Sequence, residues 1–191
     1  MNKTIKIVIA VAVILVVAIL LVVLVRNAKT NSSTLNINNA RDLSSLVDKI
    51  YKGVKTEMPS VQTEKIDVTD ADMVKAFTGL DNGNDIDALV VSEPLMSSQA
   101  YSLVLVKVKD GVNANSLAKT MNENINIRKW ICVSAEKVYT TTSGNIICLV
   151  MSNADVAKDV YDNFKTLAGS VGQEYERTEE EVELPPEMIV F

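Results

Sequence analysis

Hydrophobic and polar positions along the chain alternate with different periods, and the period changes mark its parts. Residues 7–25 are all Ile, Val, Leu or Ala, nineteen in succession. As a helix this run rises about 28 Å, close to the hydrocarbon thickness of a bilayer, and it is apolar on every face rather than along one stripe. It is expected to span a membrane, satisfying its own backbone hydrogen bonds as it does so. Residues 27–39 are polar and rich in Asn, Ser and Thr, the composition of a stalk that has little apolar surface to bury.

Helical periodicity begins near Ala40. Leu43, Leu46, Val47, Ile50 and Val54 make one apolar stripe and predict an amphipathic helix over 40–55. Met58-Pro59-Ser60 marks a turn. Thr69-Asp70-Ala71-Asp72 resembles a capping box; Met73 and Phe77 lie one turn apart, and Gly79 sits where a C-cap is expected, which predicts a short second helix. Two β-rich stretches come next, at 87–92 and 101–109, parted by a polar segment containing Pro94. In the second, Val104, Val106 and Val108 face one way and Lys107 and Lys109 the other, the pattern of a half-buried strand.

Leu117, Ala118, Met121 and Ile125 predict a third helix after the Asp110-Gly111 turn, beginning near Asn113. A second hairpin is expected to pair 137–141 with 145–151 through Thr142-Ser143-Gly144, placing Cys148 opposite Val138 or Tyr139. The last helix is capped by Ser152 or Asn153, turns Val156, Val160, Phe164 and Leu167 inward, and closes at Gly169. The order α-α-β-β-α-β-β-α predicts an α+β domain of two layers: an antiparallel sheet made from two hairpins, with helices packed on one face.

The expected organisation is a cytoplasmic tail (1–6), a transmembrane signal anchor (7–25), a polar stalk (26–39), an extracytoplasmic domain (40–173) and an acidic, disordered tail (174–191). A cleavable signal peptide competes with the anchor. Against it, the apolar run exceeds the usual length and ends at Val25-Arg26-Asn27-Ala28-Lys29 without a small-residue cleavage site. A lipoprotein needs a cysteine just after the run, and Cys132 is the first in the chain. Lys3 and Lys6 are balanced by Arg26, Lys29 and Arg41, so orientation rests on the short N-terminal tail, which favours export of the larger C-terminal part.

Composition narrows the function. Once Lys3 and Lys6 are set aside, the formal charge of −5 becomes −7 for the remainder, which disfavours a phosphate backbone, and nucleic acid is not an expected partner. The 191 residues contain no histidine, which removes the commonest general base and neutral metal ligand. Cys132 and Cys148 read as buried, unreactive core cysteines, with a single disulfide as the alternative.

Candidate chemistry is sparse. Asp81-Asn82-Gly83-Asn84-Asp85-Ile86-Asp87 could offer oxygen ligands to a hard cation. Its Gly is at the third position rather than the sixth, and Ser92 stands where a calcium loop has its bidentate Glu, so a plain turn explains it better. Ser92, Ser97 and Ser98 lie near Glu93, but no histidine completes a nucleophile relay. Carboxylates among Asp81, Asp85, Asp87 and Glu93 could act as a hydrolytic pair.

Asn31-Ser32-Ser33 fits a glycosylation sequon in the stalk. Trp130 and Tyr139 read either as edges of the core or as surface anchors for a partner. Residues 174–187 hold seven glutamates against Arg177, before Pro185-Pro186 and the apolar Met188-Ile189-Val190-Phe191: a solvated tail, or a linear docking peptide.

Three segments carry a family resemblance: Ala88-Leu89-Val90-Val91-Ser92-Glu93-Pro94, Leu105-Val106-Lys107-Val108-Lys109-Asp110, and Gly144-Asn145-Ile146-Ile147-Cys148-Leu149-Val150-Met151-Ser152. Residues 68–164 thereby resemble domain of unknown function 4358, small envelope-tethered proteins of Gram-positive bacteria. Many of these look like lipoproteins, whereas this chain has a spanning helix in place of the lipidated cysteine. The resemblance implies export and a non-enzymatic envelope role, and supplies no catalytic, cofactor or metal residues. The expected function is a membrane-anchored extracytoplasmic interaction or assembly module with an envelope protein as partner; a small-ligand sensor and a carboxylate hydrolase are the alternatives.

Overall fold

Asn39, Asp70, Asn113 and Asn153 each turn a side-chain oxygen onto a backbone N–H of the next turn, and each starts a helix. In the computed structural model, which describes residues 35–179, these are α1 (Ala40–Gly53), α2 (Ala71–Thr78), α3 (Ala114–Asn124) and α4 (Ala154–Ala168). Six strands accompany them: β1 (Val61–Ile66), β2 (Ile86–Pro94), β3 (Ser102–Val108), β4 (Lys137–Ser143), β5 (Ile146–Ser152) and β6 (Tyr175–Thr178). The expected anchor at 7–25, most of the stalk and the chain from 180 onward lie outside the described residues. Among the described residues no helix is long and apolar enough to cross a membrane.

The fold is α+β, with one antiparallel sheet in the order β1-β2-β3-β5-β4-β6. Its central strands are apolar on both sides. Ile146, Cys148 and Val150 of β5 meet α1 and α4, whereas Ile147, Leu149 and Met151 join a second cluster with Val74 of α2 and Ala118 and Met121 of α3. The expected two layers are therefore corrected to three, with helices on both faces. The half-buried reading of β3 is corrected for the same reason: Leu103 and Leu105 are as buried as Val104 and Val106.

The expected order omitted β1 and β6. β1 pairs with β2 from Val61 opposite Pro94 to Ile66 opposite Leu89. β6 occupies part of what was expected to be the acidic tail, pairing Tyr175 with Thr140 and Thr178 with Lys137. At the other boundary, Leu35 and Ile37 already pack against the α1/α4 cluster, so the domain begins before Ala40.

The second hairpin turns through Gly144 and Asn145 alone. Gly144 takes a φ of 59° at the first turn position, where glycine suits a two-residue hairpin loop. The strands therefore run further than expected, and Cys148 faces Thr141 rather than Val138 or Tyr139. Thr141, Thr142 and Ser143 are buried beneath the chain after α4 and the start of α3: Thr141 donates to the Gln173 carbonyl and Ser143 to that of Ser170, while Thr142 donates to the Asn115 side chain of α3.

Candidate functional site

One end of the sheet gathers the C-terminal end of β2, the ends of α2 and α3, and the loops after β2 and α3. Gly79 makes this possible. Its φ of 73° ends α2, and a Cβ there would lie 2.6 Å from the backbone of Asn124 and Ile125, so the two helix ends touch directly. The loops are joined by a hydrogen bond of 3.0 Å from Ile131 N–H to the Ser97 carbonyl. Arg128 pairs at 2.9 Å with Glu179, which also accepts from Ser134, and so ties the second loop to the chain after β6.

Between these parts lies a cleft of about 980 Å³, lined by Lys75, Phe77, Asp81, Glu93, Leu95, Glu123, Lys129 and Trp130 among others. Alternation along β2 puts Glu93 on the same face as Leu89 and Val91, toward α2. There its carboxylate accepts a hydrogen bond from the Lys129 ammonium. The ammonium lies 4.8 Å from the centre of the Phe77 ring and 5.4 Å from that of Trp130, within cation–π range of both. With 14% of the Lys129 side chain and 25% of that of Glu93 exposed, the pair is largely withdrawn from water. Burial pushes the Lys129 amine below its ordinary value, and the charge of Glu93 opposes that shift.

The lip is apolar. Leu95 is 68% exposed, Met96 60% and Ile131 66%, the most exposed large hydrophobic side chains among the described residues. Leu95 lines the cleft directly after Pro94, Met96 follows it, and Ile131 comes directly after Trp130. Exposed apolar side chains this close together mark recognition surfaces more often than they arise by chance.

The four carboxylates proposed for hydrolysis do not form one group. Asp81 and Glu93 share the cleft, each with an ammonium partner, Lys75 at 2.9 Å for Asp81 and Lys129 for Glu93. The hydrogen bond from Lys75 holds the Asp81 carboxyl below the usual range, the reverse of the raised acid that protonates a leaving group. Asp87 pairs with Lys107 toward the opposite end of β2, roughly 20 Å from Glu93 by strand rise. Asp85 sits in the preceding loop, where its carbonyl accepts from Lys109 N–H.

The 81–87 segment forms turns, with Asn84 N–H donating to the Asn82 side chain. Gly83 approaches the Val68 carbonyl so closely that a Cβ would lie 2.2 Å from it. Among the described residues no three His, Cys, Asp or Glu side chains are grouped as metal ligands. Ser92 is buried and accepts from Thr63, while Ser97 and Ser98 are exposed in the loop.

Trp130 is half-buried in the cleft wall. Tyr139 stacks on Tyr161 at 5.1 Å, partly buried against the opposite face of the sheet. The expectation that both cysteines are buried is corrected: Cys148 is, but Cys132 is exposed, and both thiols are free. Cys132 lies in the loop beside Ile131 with a φ of 60°, a left-handed conformation outside any regular strand.

Sequence reasoning missed Phe77 and Lys129 as partners of Glu93. They come from three segments whose meeting depends on the contact at Gly79, and no local spacing encodes that. No family model, curated protein or solved structure matches this chain.

Proposed function

We propose that the protein is a membrane-anchored extracytoplasmic interaction module of the bacterial envelope, non-catalytic, and that the cleft between Phe77 and Trp130 is its recognition face. The observation that carries the reading is the apolar lip of Leu95, Met96 and Ile131 around a cleft whose charged groups are paired. Exposed methionine adapts to a partner's shape, and half-buried Trp and Phe are common anchors in interfaces.

Leu95→Asp combined with Ile131→Asp tests the reading. Both side chains are exposed, so the fold should survive while capture of a cross-linked envelope partner in cells is lost. Unchanged capture overturns it. Export is tested by a reporter fused after Phe191: a cytoplasm-only reporter that is active there contradicts the orientation.

The volume of the cleft favours a second reading, a small-ligand sensor, because it falls within the range of small-molecule pockets. A discrete metabolite that shifts Trp130 emission, with no protein cross-linked at the lip, would support this alternative over the first.

A further inference from the structure

Two aromatic rings and a carboxylate around one ammonium are the elements of a site that recognises ammonium groups. In this cleft the ammonium belongs to the chain itself. Lys129 reaches Glu93 past Phe77 and Trp130 from an irregular loop, on a flexible stem that can swing outward without disturbing a helix or strand. Apart from the Lys75–Asp81 pair, the charges lining the cleft are Glu93, Glu123 and Lys129. Glu123 is paired with Lys119 at 3.7 Å, so with Lys129 withdrawn the Glu93 carboxylate would face the space that it leaves, and such a space attracts a cation.

We propose that this cage is a docking point for a lysine side chain of the partner protein, with Lys129 as its displaceable intramolecular occupant. The inference rests on the reading of the cleft as the recognition face and adds the partner's chemistry: a lysine flanked by apolar residues that cover Leu95, Met96 and Ile131. Exchange of one ammonium for another keeps Glu93 paired throughout, so neither state leaves a buried charge alone. Burial already disfavours the charged form of Lys129, which lowers the cost of its leaving.

The test uses the full chain with Lys129→Met, which keeps the stem and removes the ammonium. Trp130 is the single tryptophan, so its emission reads the cleft directly. The probes are Nα-acetyl-lysine methylamide and its neutral counterpart, Nα-acetyl-norleucine methylamide. The lysine probe should bind the variant about tenfold more tightly than the unsubstituted chain, and the norleucine probe should bind both alike. Adding Glu93→Gln should remove the gain. Equal binding of the two probes, or no gain in a folded variant, overturns the proposal.

Should Lys129→Met fail to fold, the unsubstituted chain decides by reductive ¹³C-methylation. The Lys129 methyl signal, shifted by the two rings, should move to its solvent position as the lysine probe is added, and an unmoved signal overturns the proposal. Failure here with partner cross-linking at Ile131 intact removes the lysine assignment alone. Loss of both removes the reading of the cleft as well.

Discussion

Glu93, next to the end of β2, pairs with Lys129, thirty-six residues further along the chain, between the rings of Phe77 and Trp130. The two halves of this pair are not equivalent for stability. Glu93→Gln leaves an ammonium that its flexible stem can carry out to water and should cost less than about 1 kcal/mol. Lys129→Met leaves a largely buried carboxylate, held on a strand, without its cation and should destabilise the domain by about 1–3 kcal/mol. Urea unfolding monitored by Trp130 emission gives both midpoints, and a larger loss in Glu93→Gln contradicts the geometry.

A second buried pair predicts behaviour in alkali. Tyr51 and Tyr101 share a hydrogen bond of 2.9 Å, and burial pushes the Tyr51 phenol up to about 12 despite hydrogen bonds from Ser92 and Tyr101 that favour its ionised form. Because its folded value lies above its unfolded one, its contribution is intact below pH 10 and is lost as pH rises from about 10 to about 12. Circular dichroism should show stability falling across that window. In Tyr51→Phe the fall should begin at higher pH, after a loss of about 1 kcal/mol at neutral pH. Coincident alkaline transitions would contradict the assignment.

Arg177 holds the last strand in place. Its guanidinium donates to the carbonyls of Glu123 at 2.9 Å and Ile125 at 2.5 Å, which closes the end of α3, and burial lowers its pKa from the ordinary value. Arg177→Met should speed amide exchange in β6 and at the end of α3 while β3 and β5 stay protected. Uniform acceleration across the sheet would mean that β6 is not an independently opening edge.

The two cysteines should differ in reactivity. Burial in the core pushes the Cys148 thiol far above its usual range, whereas Cys132 is exposed. A thiol reagent should label one cysteine in the folded chain and both after unfolding. Two fast-reacting thiols in the folded state would contradict the burial of Cys148.

How legible each feature is in the sequence depends on how locally it is encoded. The four helices carry their own caps, and Asn39, Asp70, Asn113 and Asn153 mark their starts within a residue or two. In α2 the stripe misleads: Val74 and Thr78 are buried and Met73 is exposed, because the helix is too short for Met73 and Phe77 to define a face. β1 is invisible because Gln62, Glu64 and Lys65 at a sheet edge need no apolar alternation. β6 is hidden in an acidic run, being held by backbone pairing and Arg177 rather than by its own burial. The second layer of helices does leave a trace in β5, where the six successive apolar residues from Ile146 to Met151 signal a strand covered on both faces.

Of the candidate site, Glu93, Pro94 and Trp130 stand out in the sequence for the wrong reasons, as a possible hydrolytic acid, a strand breaker and an edge of the core. Their partnership through Lys129 is a tertiary contact. Only the meeting of α2 with α3 at Gly79 brings it about.

The recognition role of the cleft is tested most directly by a photo-activatable cross-linker placed in intact cells at Ile131 on the lip, or at Asp110 in the turn at the other end of the sheet. A discrete partner adduct from Ile131, absent from Asp110 and abolished by Trp130→Ala, is the predicted result. Equal adducts from both positions, or an isolated chain from Ile131 under all conditions, would contradict it.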